Sequence, residues 1–138
     1  MLNIETRSEG LLIAHLQPLL TAYTLHSGFT GENITTRPYI AVICPSVTEA
    51  ISHSGIYNAV IAIEVRTRLV KDSDKTTFAG IIDTIRTALQ QRDIVASLNA
   101  LEGVHTVHGV DVAESQTELE GQDRVWTQAL DVKWSPTA

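Results

Sequence analysis

Residues 57–91 read YNAVIAIEVRTRLVKDSDKTTFAGIIDTIRTALQQ, and within them the period of the apolar positions changes from two to 3.6. Tyr57, Ala59, Ile61, Ile63, Val65 and Leu69 alternate with a face that turns polar at Glu64, Arg66 and Arg68. That pattern marks a strand with one buried face. Val60 and Ala62 on the second face imply that one end is covered on both sides. Taken from Tyr57 to Val70, the strand would be about 45 Å long and would extend beyond the body of the domain. Lys71–Lys75 reads as a charged turn, after which Thr76 or Thr77 caps a helix running to about Gln91. Phe78, Ile81, Ile82, Ile85 and Leu89 share one helical face, while Asp83, Arg86, Gln90 and Arg92 occupy the other.

Upstream, Leu11, Leu12, Leu16, Leu19 and Leu20 fall at helical spacing, so a helix is expected over about Ile4–Leu20, with Asn3 or Thr6 as its cap. Pro18 should kink or end it, because proline removes a backbone bond and clashes with the preceding turn. Thr24–Pro38 is polar, contains Gly28 and Gly31, and reads as a long loop with Leu25, Phe29 and Ile34 as its only anchors. Loops of that length are usually functional or mobile. Tyr39–Cys44 is a short β-branched strand that starts after Pro38 and that Pro45 terminates.

Downstream, Asp93 caps a short further turn carrying Ile94, Val95 and Leu98, ending near Gly103. The last third reads as a hairpin with arms Val104–Thr117 and Arg124–Ser135, joined by the acidic connection Glu118–Asp123. Trp126, Leu130, Val132 and Trp134 share a face on which Gln128 is the polar exception. The order helix, two strands, helix, two strands implies the α+β class, with one domain over residues 1–138. Its sheet would be four-stranded and mainly antiparallel, with two main helices packed on one face.

Composition narrows the function. The chain has 138 residues, 43% of them apolar, and 16 acidic against 10 basic side chains give a net charge of −6. Broad nucleic-acid or anionic-membrane binding needs concentrated Lys and Arg, so neither is expected. The single cysteine cannot form an intramolecular disulfide framework or a cysteine-based zinc site. No apolar run is long enough to span a bilayer, and Met1–Gly10 has no signal-peptide core. The expectation is a soluble cytoplasmic protein.

No enzyme signature emerges. Of the five histidines only His105 and His108 are close in sequence, and three apart on a strand they point to opposite faces. Cys44 reads as a small buried hydrophobe, since a nucleophile needs a base and an electropositive setting that only a tertiary contact with His53 could supply. Gly28 and Gly31 lack the lysine and following helix of a phosphate loop. Asn33-Ile34-Thr35 matches a glycosylation pattern by accident, with no secretory signal beside it. Asp111, Glu114, Glu118, Glu120 and Asp123 concentrate around one hairpin tip; a glycosidase pair would need an apolar pocket and sugar-stacking aromatics. They read as a solvated mobile loop, or as an acidic contact or lumen-facing surface. No catalytic residue, cofactor or metal is expected.

The order of elements carries more than any motif. The leucine-rich helix and polar loop lead to RPYIAVICPS (37–46) and then YNAVIAIEVRTRL (57–69). TTFAGIIDTIRTALQQRDIVASLNALEG (76–103), VHTVHGVDVAES (104–115) and the closing DRVWTQALDVKWSP (123–136) follow. Over nearly its whole length the chain resembles the tail terminator, or tail completion, proteins of long-tailed bacteriophages. The resemblance implies an α+β subunit of a ring, typically a hexamer, in the virion. Such a ring caps the tail tube, ends its polymerisation and offers a docking surface to the head connector or stopper protein. Assembly would occur in the host cytoplasm, and DNA would pass through the lumen without sequence-specific binding.

Three features fit that picture. An acidic conduit lets phosphates slide where a basic one would trap them. An exposed Arg66–Arg68 pair with Lys71 matches the Glu118, Glu120 and Asp123 hairpin of a neighbour, as a heterologous ring contact requires. On that expectation Arg66→Glu abolishes the ring and leaves the monomer folded. The 24–38 loop, with Phe29, Glu32 and Asn33, is the expected docking loop, ordering on contact. The competing readings are a head–tail neck or adaptor protein, a small α+β enzyme or ligand-binding domain, and a cytoplasmic regulator that pairs through its sheet edge.

Overall fold

The structure, a computed structural model, describes residues 3–28, 37–49, 54–102 and 105–135. Asn3 starts helix α1 (Ile4–Leu16): its Oδ1 accepts the Thr6 N–H at 3.0 Å. Ile4, Ser8, Leu11, Leu12 and Leu16 form the buried stripe of α1. Pro18 ends it, as expected, inside a 3-10 turn over Gln17–Leu19. Leu19 is therefore turned away from the core and is about half exposed. The Gln17 amide then stitches the exit: Nε2 donates to the carbonyls of Leu20 and Tyr23, and Oε1 accepts the Leu25 N–H.

That stitching places a strand inside the stretch expected to be a loop. β1 (Leu25–Ser27) pairs in parallel with β2 (Tyr39–Glu49), Leu25 opposite Ile40. β2 is longer than expected because Pro45 does not stop it. The register shifts between Ile43 and Ser46, so Pro45 sits in a bulge where no ladder N–H is needed. The freed Cys44 N–H donates to Glu9 Oε2 at 2.8 Å, which fastens α1 to the bulge.

β3 (Tyr57–Arg68) has the expected alternation, with Ala59, Ile61, Ile63 and Val65 in the core. It stops at Arg68 and does not overhang, since Thr67 is still buried. Helix α2 (Asp72–Leu89) starts four to five residues before Thr76 and Thr77. The Asp74 carboxylate accepts the N–H groups of Val70 and Lys71 at 2.9 and 3.0 Å, so the charged turn is really the first helical turn. Phe78, Ile81, Ile82, Ile85 and Leu89 are buried together as predicted. α3 (Ile94–Glu102) extends the short turn after Asp93 into a helix, and Arg7 Nη1 of α1 reaches its Glu102 at 2.7 Å.

β4 (Thr106–Glu120) and β5 (Asp123–Ser135) form the hairpin with a two-residue turn at Gly121 and Gln122. Gly121 has φ +61°, a conformation that glycine adopts without strain. Glu118, Glu120 and Asp123 are thus strand residues, and the mobile acidic loop expected from sequence is not there.

Among the described residues the sheet has five strands in the order β1-β2-β3-β5-β4, one more than expected, and the parallel β1 makes it mixed. The three helices described contribute to a single core with one face of the sheet. β5 is inserted between β3 and the edge strand β4, antiparallel to both. Its core face presents Trp126, Leu130, Val132 and Trp134, each about 1% exposed or less. Trp134 Nε1 donates to the buried Ser8 hydroxyl at 2.9 Å, which explains a serine in the apolar stripe of α1. Gln128 is the polar member of that face because β4 bulges opposite it, between Val112 and Ser115. Its Nε2 donates to the carbonyls of Ala113 and Ala129 at 2.6 and 2.8 Å.

Candidate functional site

The sheet face away from the helices carries the charged residues singled out from the sequence, and the strand register assembles them in rows. Glu64 lies beside Thr127 and Thr127 beside Gln116; Arg66 lies beside Val125 and Val125 beside Glu118. Arg68 lies beside Asp123, which faces Glu120 across the turn. These rows floor a shallow groove of about 310 Å³, lined by Glu64, Arg66, Glu114, Gln116, Glu118, Glu120, Val125, Thr127 and Ala129.

Arg66 is the centre of this face. It was expected to be exposed, and that expectation is corrected: it is 3% exposed, beside a Glu64 at 5%. Its Nη2 donates to Glu64 Oε1 at 2.8 Å and pairs with Glu120 Oε2 at 2.6 Å, while Nη1 lies 3.7 Å from Asp123. Burial alone would lower the Arg66 pKa, but the two glutamates outweigh it and the net shift is upward. Its Nε is enclosed with no hydrogen-bond partner among the described residues.

Asp123 is the second node. Arg37 grips it with both ends of the guanidinium, Nη2 at 2.7 Å and Nε at 3.3 Å, and Arg68 Nε lies 3.6 Å away. The Arg37 hydrogen bond is the main reason the Asp123 carboxyl titrates below its ordinary range. This network ties the hairpin turn to β3 and to the start of β2. Arg37 was not singled out from the sequence, since it stands at the end of a polar loop with nothing local to mark it. Tyr39, next to the network and fully buried, stacks on His26 with ring centroids 4.6 Å apart. Its hydroxyl pKa is raised first by burial and then by Glu64.

The structure therefore brings Arg66, Arg68, Glu120 and Asp123 together, but within one chain. Lys71 stands apart, exposed at the N-cap of α2, and Glu118 projects freely from β4. Phe29, Glu32 and Asn33, and His53 with them, lie outside the described residues. Of the remaining candidates, Cys44 is buried with its thiol pushed up to about 11 by burial and by Glu9 and Glu5, the opposite of an activated nucleophile. His105 meets the Trp134 ring edge-on, and His108 is exposed at a bulge. Among the described residues no three His, Cys, Asp or Glu are grouped to hold a metal, and no helix is long and apolar enough to cross a membrane.

On the helix side, Arg86 of α2 lies over the Trp126 ring, 5.6 Å from its centroid, and reaches Ser115 of β4 at 3.2 Å. The hairpin is thus held from both faces, by Arg86 above and Arg66 below. No protein-family model matches the chain, and no curated protein sequence does. In fold it is similar to a chain of the "Virion of native gene transfer agent (GTA) particle", with a TM-score of 0.59 over 95% of each chain at 12% sequence identity.

Proposed function

We propose that the chain is a non-enzymatic structural component of a virion and acts as the tail terminator. In this reading it forms a ring, a hexamer, that caps the tail tube, ends its polymerisation and presents a docking surface to the head connector. The observation that carries it is the fold shared, over 95% of both chains, with a chain of a virion particle. The order of sequence elements supports the finer assignment. The partners are further copies of this chain, the tube protein and the connector or stopper protein; assembly takes place in the host cytoplasm. DNA passes the lumen without being read. The net charge of −6 supports this, since an acidic wall repels phosphates.

The placement of charges revises which of them a neighbour can use. Arg66, Glu120 and Asp123 are neutralised inside the subunit. Arg68, with its side chain 54% exposed, and Lys71 remain on the basic side, with Glu118 on the acidic side. The ring contact we propose joins Arg68 and Lys71 of one copy to the Glu118 region of the next. Such a contact is heterologous and closes by rotation.

Purified protein mixed with its tube protein should yield tubes of limited length that carry a ring at one end in electron micrographs. The Arg68→Glu/Lys71→Glu variant should remain folded by circular dichroism and lose the ring. Tubes that grow unchanged, with bare ends, would rule out the terminator role.

A further inference from the structure

The strand order leaves β4 at the edge of the sheet, and its two ends are treated differently. Near its start α3 blunts it. The Asn99 amide accepts the Val107 N–H and donates to the Val107 carbonyl, both at 2.8 Å, so one side chain imitates a neighbouring strand. Beyond the bulge between Val112 and Ser115 the ladder with β5 runs without interruption from Ser115 to Glu120. Over that run, about 20 Å at the usual rise per residue, β4 has β5 on one side and no strand on the other among the described residues. Folded proteins usually cover, shorten or distort such an edge, because its free N–H and C=O groups template another strand.

We propose that the outer edge of β4, from Ser115 to Glu120, accepts an extended segment of another protein as a sixth strand, and that this segment carries Lys or Arg at alternate positions. Backbone pairing supplies the affinity in strand addition, and side chains at every second residue supply the selectivity. Here the selecting side chains are Glu114, Gln116 and Glu118, which line the groove on the open face. Glu120 is already held by Arg66. The chain's own Arg68–Lys71 corner is not the added strand, since the Val70 and Lys71 N–H groups are committed to Asp74. The inference shares Glu118 with the ring contact proposed above, but Arg68→Glu/Lys71→Glu removes that contact and leaves every β4 residue unchanged, so the two can fail separately.

The full chain is titrated with a fluorescent peptide alternating Lys with Thr and Val, and with a block isomer of the same composition. Hydrogen exchange of the β4 amides is followed in parallel. The alternating peptide should bind about tenfold more tightly than the block isomer, and should slow exchange at outward-facing amides between 115 and 120. Glu114→Gln/Gln116→Lys, an exposed pair whose change leaves the core alone, should weaken binding by about tenfold. Three results would overturn the proposal. One is no binding by the alternating peptide. Another is binding without slowed exchange in β4, which is charge attraction alone. The third is unchanged affinity in the variant together with self-association through β4, which would make these acids guards of a bare edge.

Discussion

Arg66 offers the sharpest test of the structure, because the sequence and the structure disagree about it. Arg66→Met keeps most of the volume and removes the charge. Glu64, its side chain only 7% exposed, would then stay buried without the guanidinium 2.8 Å away, while the half-exposed Glu120 could turn to water. Breaking a buried pair from one side costs about 3–5 kcal/mol. An ordinary domain has ~5–15 kcal/mol in total, so about a fifth of the stability or more is at stake. That loss corresponds to a fall in Tm of about 10–20 °C. Urea unfolding followed by the fluorescence of the buried Trp126 and Trp134 reads the loss directly. Arg66→Met/Glu64→Gln removes both charges and should recover most of it. A single variant that loses less than about 1 kcal/mol, or a double variant no better than the single, would refute the buried-pair argument. Arg66→Glu, by the same reasoning, sets a third acid against Glu64 and Glu120 and should unfold the subunit.

Asp123→Asn should cost about 2 kcal/mol near neutral pH, measured by denaturant unfolding, because it removes a charged hydrogen bond from Arg37. The Asp123 carboxyl is held below its ordinary value of 3.8, so its contribution is complete above that value. It is lost as the pH falls through the lowered value, and wild type and variant should converge in strong acid. Cys44, with its thiol pushed up to about 11, should resist iodoacetamide at pH 8 in the native protein and react once urea unfolds it; rapid native labelling would contradict the buried setting. Gln128→Leu should lose about 1–3 kcal/mol in calorimetry, since it strands the Ala113 and Ala129 carbonyls at the β4 bulge without opening a cavity.

Local patterns carried the elements whose forces are local. The Phe78, Ile81, Ile82, Ile85 and Leu89 face located α2, the Asn3 cap and Pro18 bounded α1, and alternation located β3 and β5. Errors arose where a distant or unexpected side chain changed a local rule. Pro45 fails to stop β2 because Glu9, 35 residues away, takes the stray Cys44 N–H. α2 starts early because Asp74 closes its first turn. β1 is too short to show a period, and Gln17 holds it in place.

The candidate surface divides the same way. Acids in and around the hairpin and the basic Arg66, Arg68 and Lys71 are visible in the bare sequence, and so is their opposite charge. Which of them meet is a matter of strand register: the insertion of β5 beside β3 sets Arg68 against Asp123, and Arg66 turns inward to Glu64 and Glu120. The sequence by itself determined the class of fold, the amphipathic faces and the acidic character, because each depends on residues within a turn or two of one another. Only the tertiary structure decided which charges are spent inside the subunit and which edge stays open, because ion pairing and strand order join residues that the chain keeps far apart.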